Sequence, residues 1–289
     1  MNRLLELFKL TRIEHSLMLV IAVITAELIS KGLPTLQPLI LSLITPIFIS
    51  AAAFAINDYF DVDVDRINMK KRPLVKGTIK KEHALYTSLL GFAIGVAASA
   101  LINIYCLAIA LLFAVLAFLY SYRLKEYTLL GNAYIAFSMA IPFIFGSYVV
   151  LNAPGLGILL ISFMIFLSGL AREIHGTIRD YRGDAARHAK TLPVKIGRKP
   201  SAIVALILYA IAVIISAYLF FYVAPLRHNI VYIVVVSASD LMLLYAALGY
   251  LSKTDAHFYS IARNLSLIAM LLALLAILLA AVLPFHLLT

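Results

Sequence analysis

The stretch Asn57–Gly77, NDYFDVDVDRINMKKRPLVKG, places four aspartates within eight residues and follows them with a basic run. The chain before it is almost entirely apolar. If the preceding helix continues through this stretch, Asn57, Asp61 and Asp65 recur at every fourth position and share one helix face. Asp58 lies on the flank of that face. Crowded carboxylates repel one another unless a cation joins them, so this density of oxygen ligands predicts a site for Mg²⁺ or Ca²⁺.

The composition around this stretch is that of a polytopic membrane protein. Of the 289 residues, 63% are hydrophobic and only 13% are charged, whereas a soluble domain is about half apolar and about a quarter charged. The mean hydropathy is +1.00, which excludes the soluble classes. The net charge of +10 then reflects topology and anionic partners. We expect membrane lipid, and no nucleic acid, among its partners. The single cysteine, Cys106, excludes an internal disulfide.

Nine apolar runs are close to the roughly 20 residues that a spanning helix needs. They predict an all-α membrane bundle with spans at 15–31, 37–60, 83–103, 104–121, 128–150, 156–178, 199–223, 229–251 and 260–284. Only Asn103 separates the third run from the fourth. With the N-terminus in the cytoplasm, Lys31 and Arg227 are the only two of 24 basic residues on the outer side. Such a bias favours this orientation and places the charged connectors 61–82 and 179–198 on the cytoplasmic side.

The two charged connectors resemble each other. After Asp61 and Asp65 comes the segment RPLVKG at 72–77, and after Asp180 and Asp184 comes LPVKIG at 192–197. Each aspartate pair has a spacing of four residues and follows an even-numbered span. This pattern indicates a parallel repeat within a single domain, 1–289, whose halves are about 1–127 and 128–289.

Two acidic clusters and two basic connectors on one membrane face are typical of a metal–phosphate site. Mg²⁺ takes few protein ligands and completes its shell with phosphate oxygens and water, while basic side chains bind the remaining phosphate charge. The basic candidates are Arg72, Lys76, Arg123, Lys125, Arg179 and Lys190. For any one of them the alternative is an ordinary loop charge that obeys the positive-inside rule. The aspartates have no such explanation, because carboxylates near hydrocarbon are costly.

Three segments resemble the UbiA superfamily of intramembrane prenyltransferases. NDYFDVDVD, 57–65, matches the NDxxDxxxD signature of that superfamily, and DYRGD, 180–184, matches its second motif, DxxxD. The segment YSYRLK, 120–125, is similar to the YSxxLK segment between its fourth and fifth spans. The order and spacing of these motifs agree over essentially the whole chain.

The resemblance implies a helical bundle around a large central cavity. Two Mg²⁺ ions would bridge a polyprenyl diphosphate, such as geranylgeranyl diphosphate, to both acidic motifs and assist its ionisation. The implied metal-binding residues are Asn57, Asp61, Asp180 and Asp184, supported by Asp58 and Asp65, with Asp61 and Asp180 essential for catalysis. The implied diphosphate contacts are Arg72, Lys125 and Lys190. Tyr120 and Ser121 would line the reacting end of the prenyl group, where a tyrosine face stabilises a cation.

The acceptor is predicted less directly. The segment AREIHGTIRDYRGD, 171–184, resembles the archaeal enzymes that prenylate geranylgeranylglyceryl phosphate. The segment TRIEHS, 11–16, is instead similar to the branch with aromatic acceptors, and His15 departs from the ether-lipid pattern. We therefore expect an aromatic ring as the lipophilic acceptor, with Arg12 and His15 in substrate binding, and keep the glyceryl phosphate as the alternative.

Two other classes were compared with this interpretation. The CDP-alcohol phosphotransferases carry one acidic cluster around D-G-x-x-A-R, which this chain lacks. A cation transporter would place its charged residues at mid-membrane, whereas these aspartates stand at span ends. Asp240, Glu27 and His175 are further ionisable residues within the spans. Asp240 is interpreted as either functional or hydrogen-bonded to a neighbouring helix, and Glu27 as extending toward the membrane surface. His175 is interpreted as packed within the bundle, with contact to the acceptor as the alternative.

Overall fold

The computed structural model describes residues 3–67, 69–186 and 189–283. Its elements in chain order are α1 (Arg3–Thr11), α2 (Ile13–Ser30), α3 (Leu36–Ile67), α4 (Lys81–Ala100), α5 (Ile104–Tyr122), a 3₁₀ helix (Leu124–Glu126), α6 (Thr128–Val150), α7 (Leu156–Arg179), α8 (Tyr181–Ala186), α9 (Leu192–Ile196), α10 (Arg198–Tyr222), α11 (Ile230–Ser252) and α12 (Ala256–Val282). The predicted all-helical class is confirmed.

The helix lengths support the predicted span count. Within the described residues, eight helices are long and apolar enough to cross a membrane, and a ninth span results if α1 and α2 are taken as one broken segment. That segment bends by 58° at Arg12, whose φ of 46° is left-handed. The chain is therefore an integral membrane protein with eight or nine spans.

The division between α4 and α5, which the sequence left to Asn103 alone, is real. The side chain of Asn103 accepts a hydrogen bond from the backbone N–H of Cys106 at 2.9 Å and so caps α5. Its amide also donates to the carbonyl of Tyr148 on α6 at 2.7 Å. One polar residue thus begins a helix and attaches it to a neighbour, which accounts for the break between two apolar runs.

Helix α3 decides where the first acidic motif stands. Its 32 residues correspond to a length of about 48 Å at 1.5 Å per residue, which exceeds a hydrocarbon core of about 30 Å. The helix continues past the predicted span 37–60 and carries the motif beyond the apolar run, which is the continuation that the spacing of Asn57, Asp61 and Asp65 assumed. Short connections make successive spans antiparallel, so α3, α5 and α7 all end on the same side of the bundle. We call this side the motif end.

The spans enclose a central cavity of about 530 Å³, as predicted. Its walls come from α2, α3, α5, α6, α7, α10, α11 and α12 and are largely apolar. Packing around it is close: a Cβ on Gly146 of α6 would lie 2.5 Å from the carbonyl oxygen of Val23 on α2. A glycine at this crossing lets the two backbones approach, as is common between membrane helices.

Candidate active site

The first acidic motif lies on the last turns of α3, and its spacing places the side chains as predicted. The amide of Asn57 donates to Asp61 at 3.1 Å, one turn away. Lys125, from the 3₁₀ helix after α5, donates a short hydrogen bond to the other oxygen of Asp61. The segment 120–125 therefore reaches the first motif, and an amide, a carboxylate and an ammonium group meet at the motif end.

Asp58 joins three separate parts of the chain. Its side chain is 2% exposed, and its Oδ1 accepts from Arg12 at 2.7 Å and from Arg72 at 2.8 Å. The guanidinium of Arg12 also lies over the ring of Phe54, 4.7 Å from its centroid. The carboxylate thereby fixes the bend between α1 and α2 and the chain after α3 against the same helix face.

Asp65 is buried one turn beyond Asp61, with 1% of its side chain exposed. Lys70 lies 2.9 Å from it, and Arg72 makes a second, shorter ion pair with it. Asp63 points away, since 76% of its side chain is exposed and its partner is Arg66 at 3.5 Å. One face of α3 thus carries the charge network of the first motif, and the opposite face carries an ordinary surface pair.

Tyr120 and Ser121 line the central cavity next to this network. The ring of Tyr120 stacks on Tyr134 of α6 with centroids 4.7 Å apart. Tyr120 therefore stands where α5 meets α6. Ser121 is 1% exposed. The structure therefore brings both predicted residues to the motif end of the cavity.

The second acidic motif is built differently. Helix α7 ends at Arg179, and Asp180 follows as its C-cap. Asp180 is 56% exposed and accepts two hydrogen bonds from Arg179, both at 2.8 Å. Asp184 is buried on the short helix α8. The lining of the central cavity includes Asn57 of the first motif but neither aspartate of the second.

The other predicted substrate residues are less enclosed. Lys76, Arg123 and Lys190 are exposed at the motif end. His15 lines the central cavity and meets the ring of Phe54 edge-on at 5.3 Å. Apart from His15, Arg12 is the only one of the basic candidates in the cavity lining, while Arg72 and Lys125 reach the acidic motif from outside it.

Comparison with known proteins identifies the family. The model of the UbiA prenyltransferase family matches residues 17–268, which is most of the chain. The chain belongs to the UbiA prenyltransferase family. It is therefore a prenyltransferase, and the resemblance drawn from its motifs is confirmed.

Three known proteins are similar to this UbiA prenyltransferase. A digeranylgeranylglyceryl phosphate synthase from Archaeoglobus fulgidus is 35% identical over 93% of this chain and 92% of its own length. A solved structure described as a digeranylgeranylglyceryl phosphate synthase in membranes has a TM-score of 0.81 and 29% identity, covering 98% of this chain and 99% of its own. A UbiA homolog from Archaeoglobus fulgidus bound to GPP and Mg²⁺ has a TM-score of 0.61 and 22% identity, covering 94% of this chain and 99% of its own.

These relatives favour the ether-lipid alternative over the aromatic acceptor that we expected from TRIEHS. The geometry gives that segment contacts of its own. Arg12 is engaged by Asp58, and His15 packs on Phe54. Both residues have contacts within the protein that do not depend on the chemistry of the acceptor.

The acidic residues of this UbiA prenyltransferase fit the metal that the family implies. Oδ2 of Asp58 is buried without a hydrogen bond, and such an oxygen is costly unless a donor or a cation joins it. Both oxygens of Asp65 are already paired with Lys70 and Arg72. Within the described residues, no three side chains of histidine, cysteine, aspartate or glutamate converge tightly enough to hold an ion by themselves. Mg²⁺ takes few protein ligands and draws the rest from phosphate and water.

Three residues of the site were missed from the sequence. Lys70 pairs with Asp65, Tyr134 stacks on Tyr120, and Arg172 lines the central cavity while pairing with Glu173 at 3.1 Å. The signal for Arg172 was available, because a charged residue within an apolar run is usually functional. Nothing in the sequence distinguished Tyr134 among 16 tyrosines.

The three ionisable residues that the sequence analysis singled out within the spans lie in different environments. Asp240 lines the cavity and accepts from Ser216 of α10 at 2.6 Å. Glu27 is fully buried and does not extend toward the membrane surface, so that interpretation was wrong. His175 stacks on Tyr250 with centroids 3.9 Å apart, as expected of a histidine packed within the bundle.

Proposed function

We propose that this enzyme transfers a geranylgeranyl group from its diphosphate to the free hydroxyl of geranylgeranylglyceryl phosphate. In this reaction the C1–O bond to the diphosphate breaks, an ether bond forms to the acceptor oxygen, and the hydroxyl proton leaves with the diphosphate. The observation that carries the proposal is the 35% identity over 93% of the chain to a digeranylgeranylglyceryl phosphate synthase. The two motif-bearing halves would act as a single domain over residues 1–289.

The shape of the central cavity supports this proposal. Its walls are mostly apolar, and each buried CH₂ of a prenyl chain gains about 0.8 kcal/mol. Its motif end carries Asn57, Tyr120 and Arg172. An amphipathic substrate would therefore lie with its chain among the spans and its diphosphate at the first acidic motif.

Residues of both motifs would bind the metal ions that hold the diphosphate, and Asp58 would orient the arginines beside them. Asn57, Asp61 and Asp65, with Asp180 and Asp184 from the second motif, would hold Mg²⁺, two ions by the family pattern. Bound Mg²⁺ neutralises charge on the departing diphosphate. Asp58 would orient Arg12 and Arg72, since it already contacts both.

The basic residues and Tyr120 would act on the reacting group itself. Arg72 and Lys125 contact motif carboxylates and would turn to the phosphate oxygens, with Lys76, Arg123 and Lys190 available from the surface. The ring face of Tyr120 would stabilise positive charge at C1, and Ser121 would pack beside it. Basic residues concentrated at the motif end support a cytoplasmic location for this site in the cell membrane.

The test is product analysis with a panel of acceptors. Purified protein is incubated with geranylgeranyl diphosphate, Mg²⁺ and either geranylgeranylglyceryl phosphate or an aromatic acid such as hydroxybenzoate. We expect the mass of the diether phosphate, lost when the metal is chelated. Prenylation of the aromatic acid alone would overturn the proposal in favour of the acceptor that TRIEHS indicated.

A further inference from the structure

A second pocket, of about 510 Å³, opens at the motif end of the later half of the chain. It lies where α7 ends and where α8, α10 and α12 begin. It shares no lining residue with the central cavity. We call it the arginine pocket, because four of its lining residues are Arg179, Arg182, Arg198 and Arg263.

The charge of the arginine pocket is poorly balanced by the residues around it. The one carboxylate in its described lining is Asp255, and this group caps α12 by accepting the backbone N–H of Phe258 at 2.8 Å. That hydrogen bond keeps the pKa of Asp255 below its ordinary value. The carboxylate is thus charged but already engaged. Arg179 pairs with Asp180, which leaves Arg182, Arg198 and Arg263 as lining guanidinium groups that no carboxylate pairs with within the described residues.

Two tyrosines hold one of these arginines in place, and two others are exposed beside it. Arg198 lies between the rings of Tyr181 and Tyr259, 5.9 and 5.8 Å from their centroids. It donates to the hydroxyl of Tyr259, while its Nε is buried without a hydrogen bond. Arg182 and Arg263 are exposed, and no hydrogen bond or ion pair engages their side chains within the described part of the chain. A fixed guanidinium with two further donors nearby matches the oxygens of a phosphate group.

The location of the arginine pocket indicates where that phosphate comes from. The spans α10 and α12 begin at its rim, and Ile203 and Ile261, one or two turns further along, are 43% and 41% exposed to the surroundings of the bundle. Tyrosines such as Tyr181 and Tyr259 are typical of the membrane–water interface. A phosphate at this level would belong to a molecule anchored in the bilayer.

We propose that the arginine pocket binds the phosphate monoester headgroup of a membrane lipid, at a site separate from the diphosphate site. Its ligand would also influence the second acidic motif, because Arg179 lines the pocket and holds Asp180 at 2.8 Å. A headgroup phosphate would compete for that guanidinium. The proposal does not depend on which acceptor the enzyme uses.

The test is a binding titration of the full-length purified protein in detergent. The probes are a short-chain phosphatidic acid, the matching phosphatidylcholine and inorganic phosphate, with binding followed by native mass spectrometry or calorimetry. We expect the phosphatidic acid to bind at least tenfold more tightly than either other probe. Equal binding of inorganic phosphate would overturn the lipid source, and equal binding of phosphatidylcholine would overturn recognition of the monoester.

Substitutions in and away from the arginine pocket test whether the lipid binds there. The double substitution Arg182→Gln and Arg263→Gln should weaken phosphatidic acid at least tenfold without changing the melting temperature, and the corresponding lysine pair should restore part of the loss. Arg66→Gln is the matched surface control and should have no effect. Arg72→Gln removes a partner of the first motif and should also leave this binding intact. If Arg72→Gln abolishes binding and the double substitution does not, the lipid occupies the diphosphate site and the proposed pocket is wrong.

Discussion

The two acidic motifs have similar sequences but different structures. In the first, Asp58 and Asp65 are buried on an uninterrupted helix and each meets two basic side chains from elsewhere in the chain. In the second, the helix ends just before Asp180, which is more than half exposed and pairs with its own neighbour, Arg179. The first motif is therefore held partly by residues from distant segments, Arg12 and Lys125, whereas the exposed Asp180 of the second pairs with the residue beside it.

The segments that follow the motifs show the same contrast. Pro73 and Pro193 are both buried, and Gly77 and Gly197 both have positive φ, at 69° and 93°. Yet the first segment, 72–77, forms turns, while the second contains the helix α9, Leu192–Ile196. The repeat preserves the buried proline and the glycine turn but not the structure between them. We infer that the first motif is preorganised for the diphosphate and that the second adjusts when substrate binds.

The largest effect should come from the first motif. Asp61→Ala removes a proposed metal ligand that also holds Lys125, so prenyl transfer should fall by about a thousandfold or more. Asp63→Ala, on the opposite face of the same helix, is the control and should transfer normally. Product formation by mass spectrometry measures both. Similar activity of the two variants would show that the inner face of α3 is not the catalytic one.

The next effect concerns stability. Asp58→Asn leaves Arg12 and Arg72 without their shared carboxylate, and breaking such a buried contact costs about 3 kcal/mol. Thermal unfolding in detergent should show a lower midpoint, and combining Asp58→Asn with Arg12→Gln should cost less than the two single changes together. Strict additivity in this cycle would mean that the contact does not fix the bend between α1 and α2.

A smaller loss is expected at the second motif. Asp180→Ala should reduce transfer less than Asp61→Ala does, because its carboxylate is more than half exposed and pairs with its own neighbour, Arg179. Its unfolding midpoint should match that of the unsubstituted protein. A loss as large as that of Asp61→Ala would erase the distinction between the motifs and restore the symmetric two-motif site that the sequence predicts.

The smallest expected effect is on the hydrogen exchange of backbone amides and not on the rate of prenyl transfer. Adding Mg²⁺ with a non-hydrolysable prenyl diphosphate analogue should slow hydrogen exchange at amides 180–186 and change 57–65 little, because the latter already lie in a continuous helix. Mass spectrometry of exchanged peptides provides the comparison. Equal protection of both segments would argue against the second motif as the part that adjusts.

Much of the fold was predictable because the local composition of a segment is enough to identify it as a membrane span. The apolar runs, the asymmetry of Lys and Arg, and the helical spacing of Asn57, Asp61 and Asp65 each reflect a constraint within one segment. They gave the helical class and the face of α3 that carries the site, whereas the central cavity was implied by the resemblance to the UbiA superfamily. Even the break at Asn103 was visible, since a single polar residue interrupted two apolar runs.

The rest depended on contacts between distant segments. That Arg12 would bind Asp58, 46 residues away, or that Tyr134 would stack on Tyr120, follows from helix packing and not from any spacing. The exposure of Asp180 is likewise set by where α7 stops. The arginine pocket gathers residues from 178 to 263, so in the sequence its arginines look like ordinary positive charges of connecting loops.

The bend at Arg12 has a practical consequence for handling the protein. The N-terminal segment contacts the motif end twice: Arg12, directly after α1, pairs with Asp58, and Glu6 of α1 accepts from Thr78 at 2.7 Å. A fusion partner or immobilisation tag attached ahead of α1 would pull on α1 and, through these contacts, on the carboxylates of α3. An assay of tethered protein would then measure the tether as well as the enzyme, and the attachment point becomes an experimental variable.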